Sequence, residues 1–175
     1  MNKHYFSLGK KKIFIYNIYG SININNIENY LKRIEDQKND KKSYLDILII
    51  PNTQIYSKNH LLWAIFISKN RIFDKINTSK NLKNEILLTL NCSNQLNKID
   101  KGFFIKQGKN NVFLEIVSSK EITTKDINKI ISNLDLKELK IEKYNQNKAL
   151  RFYNIKSKKD IEDQIIEKMA IINKL

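Results

Sequence analysis

Residues 44–73, "YLDILIIPNTQIYSKNHLLWAIFISKNRIF", combine a strand pattern and a helix pattern around one proline. The run "YLDILII" (44–50) is apolar almost throughout and stops at Pro51, which is typical of a central strand that is covered on both faces. The next run predicts a helix over 57–75. Ser57 is suited to cap its start, because a serine hydroxyl accepts a hydrogen bond from a free backbone N–H. The middle of the chain is therefore predicted to be a buried strand followed by a largely buried helix.

Strand and helix patterns alternate on both sides of this stretch. Strands are predicted over 12–19, 111–117 and, at a sheet edge, 136–144. Helices are predicted over 23–36, 79–91, 93–101, 123–134 and 147–155. Gly102 is predicted to be the left-handed C-cap of the 93–101 helix, and Ser79 is a possible N-cap of the 79–91 helix.

The last stretch, "SKKDIEDQIIEKMAIINKL" (157–175), predicts a C-terminal amphipathic helix with Ser157 as its cap. Its apolar stripe consists of Ile161, Ile165, Met169 and Ile172. Together the patterns predict an α/β (α+β) fold: a single compact domain over 1–175 with a small mixed sheet flanked by several helices. Residues 1–11 are polar and basic, and we expect them to form a loosely ordered tail.

Cysteine content and hydropathy restrict the class of protein. The chain has 175 residues and one cysteine, Cys92, which excludes an internal disulfide and any zinc site that needs several cysteines. The longest apolar runs are far shorter than the roughly 20 residues that span a bilayer. No signal peptide is evident at the N-terminus. These features predict a soluble, cytoplasmic protein with no membrane partner.

The formal net charge is +14 at pH 7. A basic surface attracts polyanions, and neutralised phosphates supply most of the sequence-independent affinity of proteins for nucleic acids. The chain is also crowded with Lys, Asn and Ile, which an AT-rich genome favours, so part of the charge is equally compatible with a solvated surface. Charge alone leaves both interpretations open.

Side-chain patterns for catalysis are missing. The four glycines form no phosphate-binding loop, and neither histidine is accompanied by a nucleophile motif. Glu85 stands on an apolar helix, where a carboxylate is more often a surface or capping residue than a general acid. His60 is compatible with either a structural hydrogen bond or a ligand contact. We therefore predict no enzyme activity, no catalytic residue, no metal and no cofactor.

An ordered series of motifs resembles the small kinase-binding (TPRKB-type, PRPK-binding) subunit of the KEOPS complex. The series consists of the strand before Pro51, "KNHLLWAI", "SKNLKNEILLTL", "SNQLNKIDKGF", "NNVFLEIV" and "IIEKMAIINKL". The resemblance covers roughly residues 44–117 and the terminal helix. One departure is Asn94, which stands where archaeal relatives have arginine.

This resemblance implies a non-catalytic subunit that binds the atypical kinase/ATPase of KEOPS and the 3′ CCA end of tRNA. The complex installs threonylcarbamoyladenosine (t6A) in tRNA. By position, the matching motifs place five residues at RNA: Lys58, His60, Asn94, Gln95 and Lys98. Cationic grooves, amides and stacking suit single-stranded RNA ends. The alternatives are a stand-alone, sequence-tolerant RNA-binding module and an enzyme with a site around His60 and Glu85.

Overall fold

The structure is a computed structural model that describes residues 1–41, 44–140, 143–156 and 159–171, with the side chains of 38–41 left out. Five described strands form one sheet: β1 (Asn2–Leu8), β2 (Lys11–Ile24), β3 (Leu45–Pro51), β4 (Gly108–Ser118) and β5 (Lys137–Glu138). Their order is β1-β2-β4-β3, and β5 also pairs with β2. Every pairing is antiparallel.

Six α-helices accompany the sheet in the described part of the chain. They are α1 (Ile27–Lys41), α2 (Lys58–Phe73), α3 (Leu82–Leu90), α4 (Thr124–Asn133), α5 (Gln146–Phe152) and α6 (Ile161–Ile171). Short 3-10 turns lie at Asn52–Gln54, Leu96–Lys98 and Lys101–Phe103. The predicted α/β class is confirmed, although the sheet is antiparallel where we expected a mixed one.

Strand β3 lies at an edge of the sheet, because β4 is its only partner among the strands that the structure describes. The prediction of a central strand was wrong on this point. Its apolar sequence reflects burial of both faces, since Ile47 and Leu48 point to opposite faces and are both almost fully buried. An apolar run therefore reports burial rather than the number of neighbouring strands.

Residues 1–11, expected to be loosely ordered, instead contain β1 and the turn into β2. Gly9 takes a left-handed φ of 58° in the two-residue turn between Leu8 and Lys11, a conformation that glycine adopts at little cost. Along β1, exposed Tyr5 alternates with the half-buried Phe6. The polar composition conceals this alternation.

Two compact units make up the chain, and each unit joins two separate stretches. The sheet unit comprises residues 1–51 and 104–142, and the helical unit comprises residues 52–103 and 143–175. In the sheet unit, one face of the sheet packs against buried side chains of α1 and α4, among them Ile34, Ile127 and Ile130. The single-domain assignment stays a prediction.

In the helical unit, α2 packs against α3 and α6. The Ser57 hydroxyl caps α2 as predicted, accepting a hydrogen bond from the backbone N–H of His60 at 3.1 Å. Leu61 and Ile65 are fully buried on the inner face of this helix. No helix among the described residues is long and apolar enough to cross a membrane.

Helix α3 ends at Leu90, close to the predicted end at 91, and the segment after it differs from the prediction. The left-handed residue is Cys92, with φ 48°, and the N–H groups of Cys92 and Ser93 return to Thr89 and Leu88 as in a Schellman motif. The predicted 93–101 helix is replaced by two 3-10 turns. Gly102 does not have a left-handed φ; it is close to the Gln54 side chain, whose Cδ would lie 2.8 Å from an added Cβ.

Smaller differences concern the ends of elements. Asn81 rather than Ser79 caps α3. Of the predicted 136–144 edge strand, β5 is present, and residues 141 and 142 lie outside the described residues. The predicted terminal helix is present as α6, with Ile165 and Met169 fully buried as its apolar stripe requires. The proposed cap Ser157 and the stripe residue Ile172 lie outside the described residues.

Candidate functional site

Three of the five predicted site residues lie on one loop of the helical unit. Asn94, Gln95 and Lys98 are all exposed between α3 and the turn at Lys101–Phe103. The side chain of Asn91 fixes both ends of this loop: its Nδ2 donates to the Lys98 carbonyl at 3.0 Å, and its Oδ1 accepts from the Asp100 N–H at 2.8 Å. The loop therefore presents amide and ammonium groups from a hydrogen-bonded backbone.

A cleft of about 490 Å³ includes part of this loop. It is lined by Asn91, Cys92, Lys98, Asp100, Phe152, Tyr153, Lys168 and Ile171. Two ammonium groups thus stand against one carboxylate, and the carboxylate is already engaged: Asp100 Oδ1 accepts from the Gly102 N–H at 2.6 Å and from Gln54 Nε2 at 2.8 Å. The cleft is suited to an anionic ligand with an apolar part.

His60 lies in the core and has no exposed surface. The backbone N–H of Tyr56 donates to its Nδ1 at 3.1 Å, and its Nε2 lies 3.0 Å from the Tyr153 hydroxyl. That hydroxyl in turn donates to the Leu90 carbonyl at 2.5 Å. These partners define a neutral ring with its proton on Nε2. A side chain with no exposed surface cannot touch RNA, so His60 is removed from the set of RNA contacts on this ground.

Burial sets the charge state of this histidine. Desolvation lowers the pKa of His60 to about 3, because the surrounding core disfavours the imidazolium. The same cause raises the pKa of Tyr153 well above its usual value. Both side chains are neutral at physiological pH and serve as structural hydrogen-bonding groups.

Lys58 is half-exposed at the first residue of α2. Its neighbours tie this end of the helix to α6: Ser57 Oγ donates to Glu162, and Asn59 Nδ2 donates to Glu162 Oε2 at 3.3 Å. No contact described in the structure joins Lys58 to Asn94, Gln95 or Lys98. The structure thus brings three of the predicted residues together on one loop, and Lys58 lies on another element, the first turn of α2.

The thiol of Cys92 borders the cleft and is protonated. Burial raises its pKa to about 12, although Lys168 and Arg71 act in the opposite direction. A thiol is a weak nucleophile compared with a thiolate. Within the described ranges, no group of three or more His, Cys, Asp or Glu side chains is placed to hold a metal ion.

Glu85 is a buried ion-pair partner rather than a surface residue. Its Oε1 lies 3.5 Å from Arg71 Nη1, and its Oε2 accepts from the Ser79 N–H at 2.8 Å. Arg71 Nη1 also donates to Thr89 Oγ1 at 3.1 Å. These contacts join α2 to α3, so Glu85 has a structural role.

Sequence reasoning missed Tyr153 and Lys168, which line the cleft. Tyr153 is 93 residues from its partner His60, and no local periodicity links them. Lys168 lies in the motif "IIEKMAIINKL" of α6, whose pattern indicated an amphipathic helix but not that this lysine lines the cleft. A signal was present for Tyr153, since "RFYNI" places two adjacent aromatic residues at the end of a short helix.

Comparison with known families assigns the chain to a family. The family model described as "Kinase binding protein CGI-121" matches residues 23–173, which is most of the chain. The chain therefore belongs to the CGI-121 family of kinase-binding proteins, in agreement with the resemblance seen in its motifs. No curated protein matches it in sequence.

Proposed function

We propose that this protein is the non-catalytic, kinase-binding subunit of a KEOPS-type complex in the cytoplasm and that it holds the 3′ CCA end of tRNA for t6A modification. The family match carries the kinase-binding part of this proposal. The RNA part is supported by the loop of Asn94, Gln95 and Lys98, together with the adjoining cleft.

The chemistry of the loop suits a single-stranded RNA end. Exposed amides such as Asn94 and Gln95 donate and accept hydrogen bonds with base edges, and an ammonium such as Lys98 neutralises a phosphate. Because Asn91 fixes the loop backbone, little conformational entropy is lost on binding. Asn94 replaces a guanidinium with an amide, so Lys98 and Lys168 supply the charge here.

The cleft has a volume typical of sites for small ligands. The ring of Phe152 at its wall provides apolar surface, and two lysines stand at its rim. This combination fits a terminal nucleoside with its phosphate. Lys58, at the first residue of α2 in the helical unit, is proposed to contact the RNA backbone.

Co-purification tests the kinase-binding part. The tagged full-length chain, expressed in its source cells, is expected to bring down a small atypical kinase in stoichiometric amount. A stand-alone RNA-binding module would bring down RNA without the kinase. Recovery of RNA alone would therefore replace the KEOPS proposal with that alternative.

Matched tRNAs test the RNA part. We expect the chain to bind intact tRNA at least about fivefold more tightly than tRNA lacking its CCA end. Lys98→Glu should reduce the affinity for intact tRNA about fivefold. The dependence of log affinity on log salt concentration should become less steep by the amount expected for about one lost phosphate contact. Lys80→Glu is the control, because Lys80 is also exposed in the helical unit and the change in net charge is the same.

Two results would reject this site. One is equal affinity for the two tRNAs, which would remove the 3′ end as the ligand. The other is an equal loss of affinity in Lys98→Glu and Lys80→Glu, which would show that only net charge matters. His60→Gln should leave tRNA affinity unchanged wherever the variant is folded, because His60 has no exposed surface.

A further inference from the structure

A second basic surface lies at the hairpin end of the sheet unit. On one face of the sheet, the strand register places Tyr5 opposite Phe14, Phe14 opposite Ser118, and Ser118 opposite Leu45. Tyr5 is 63% exposed. The side chains on and beside this row form the hairpin patch: Lys3, Tyr5, Lys12, Phe14, Tyr44 and Lys120.

The flanking helices leave this part of the face open. Farther along β2, Ile18, Ile22 and Ile24 of the same face are almost completely buried in the core that α1 and α4 complete. At the hairpin, Tyr5 and Lys12 are exposed instead.

Lysines and aromatic rings alternate across the patch. The ammonium of Lys12 lies 4.3 Å from the centre of the Tyr5 ring, and that of Lys3 lies 5.4 Å from the centre of the Phe14 ring. Lys120 lies 5.4 Å from the centre of the Tyr44 ring. These cation–π contacts hold positive charge beside flat apolar surface.

Positive charge dominates the surroundings of the patch. Lys10 lies in the hairpin turn, Lys11 begins β2, and both are exposed. Glu121 is the acid that contacts the patch, through an ion pair with Lys3. The loop that carries Lys120 and Glu121 is held in place because the hydroxyl of Tyr16 accepts from the Ile122 N–H at 2.8 Å.

We propose that the hairpin patch binds a single-stranded nucleic-acid segment, with a base stacked on Tyr5 and phosphates at Lys12 and Lys120. Single-stranded polynucleotides expose base faces and phosphates together, and proteins bind them with aromatic side chains set among cations. This surface belongs to the sheet unit, whereas the loop of Lys98 belongs to the helical unit. The proposal does not rest on the tRNA function, because Lys3, Tyr5, Lys12 and Phe14 precede the residues matched by the family model.

An acidic protein surface is the competing occupant. Its carboxylates would pair with the lysines, but its binding would not depend on an exposed aromatic ring among them. A stacked base requires both groups, so the dependence on the Tyr5 ring distinguishes the two occupants.

The test measures binding of a labelled 12-nucleotide oligouridine, which lacks a CCA end, to the full-length chain by fluorescence anisotropy at several salt concentrations. Tyr5→Ala should weaken binding about tenfold, and Tyr5→Phe should retain it within about twofold, because the ring stacks in both wild type and Tyr5→Phe. Lys12→Glu/Lys120→Glu should weaken binding at least about tenfold. It should also reduce the steepness of log affinity against log salt concentration by about 1.4, as expected for two lost phosphate contacts.

Controls separate the patch from the total charge. Lys32→Glu/Lys129→Glu changes the net charge equally at exposed positions of α1 and α4 and should reduce affinity by no more than about threefold. A 12-base-pair duplex carries more charge but hides its base faces, so it should bind more weakly than the single strand. Circular dichroism confirms that each variant is folded.

The proposal is overturned by any of three results: full affinity in Tyr5→Ala, equal losses in the two lysine pairs, or a duplex that binds as tightly as the single strand. Preferential binding of an oligoglutamate peptide that Tyr5→Ala leaves intact would assign the patch to an acidic protein. If tRNAs with and without the CCA end bind equally well while the oligouridine still binds as predicted, the tRNA site is rejected and the hairpin patch is retained.

Discussion

The Nε2 atom of His60 lies 3.0 Å from the hydroxyl of Tyr153, and the two rings meet edge to face with their centres 5.1 Å apart. The pair connects the first turn of α2 to the residue that ends α5. Because the Tyr153 hydroxyl also donates to the Leu90 carbonyl, three segments of the helical unit share one buried hydrogen-bond chain.

Acid should destabilise the protein through His60. The pKa of the His60 ring is about 3 in the folded state and about 6.5 in the unfolded state. The unfolded state therefore takes up a proton as the pH falls below 6.5, while the folded state does not. The free energy of unfolding should decline by about 1.4 kcal/mol per pH unit once the pH is well below 6.5, as measured by urea denaturation between pH 7.5 and 5.

His60→Gln is the variant that checks this cause. The variant should lower the free energy of unfolding by about 2 kcal/mol at pH 7.5, since it disturbs a buried hydrogen-bond chain. It should also flatten the decline of that free energy between pH 6.5 and 5. An unchanged slope in His60→Gln would assign the pH dependence to other groups.

The Arg71–Glu85 pair should behave as a coupled unit. Arg71→Met or Glu85→Leu alone leaves a buried charge without its partner and should lower the free energy of unfolding by about 3–5 kcal/mol. In the double variant, the free energy of unfolding should fall by much less than the sum of the losses in the two single variants. A double-mutant cycle by urea denaturation measures the coupling, and additive losses would show that the pair does not interact.

Gly20→Ala should destabilise the sheet unit by about 1–3 kcal/mol through overpacking. An added Cβ would lie 2.8 Å from the Lys137 carbonyl oxygen and 2.8 Å from Leu136 Cγ, where β5 pairs with β2. Ser21→Ala, at the next residue of β2, should have a much smaller effect. Thermal unfolding compares the two, and equal midpoints would contradict the steric argument.

Lys75→Gly should stabilise the protein. Lys75 is exposed with a left-handed φ of 59° after α2, a conformation that costs an ordinary residue about 1–2 kcal/mol. After the extra chain entropy of glycine is deducted, the expected gain is about 0.5–1 kcal/mol. Lys80→Gly, at an exposed position with no positive φ, should give no gain, and a gain in both variants would refute the explanation.

The fold was most predictable where local periodicity and caps agree. The β3 and α2 patterns and the Ser57 cap were read from neighbouring residues, and the structure confirms them. The 93–101 segment was mispredicted because distant contacts decide it: Gln54 fills the space beside Gly102, which sequence spacing does not reveal.

The candidate site was predictable in part for the same reason. Asn94, Gln95 and Lys98 share one loop and therefore stay together, whereas the burial of His60 depends on Tyr153, far away in the sequence. Lys168 reaches the cleft only because α6 packs beside α2 and α3. The resemblance of the motifs singled out the three loop residues, whose role at RNA stays a prediction, and tertiary packing adds Tyr153 and Lys168 to the cleft beside them.

The division of each unit into two stretches has a consequence for synthesis on the ribosome. When residue 51 has emerged, β2 and β3 exist without β4, the strand that joins them. The helical unit likewise waits for α6, which supplies the carbonyl of Met169 to Arg71 at 3.5 Å. We therefore expect the nascent chain to stay vulnerable to proteases until α6 has emerged, and no single cut should release either unit as one continuous folded fragment.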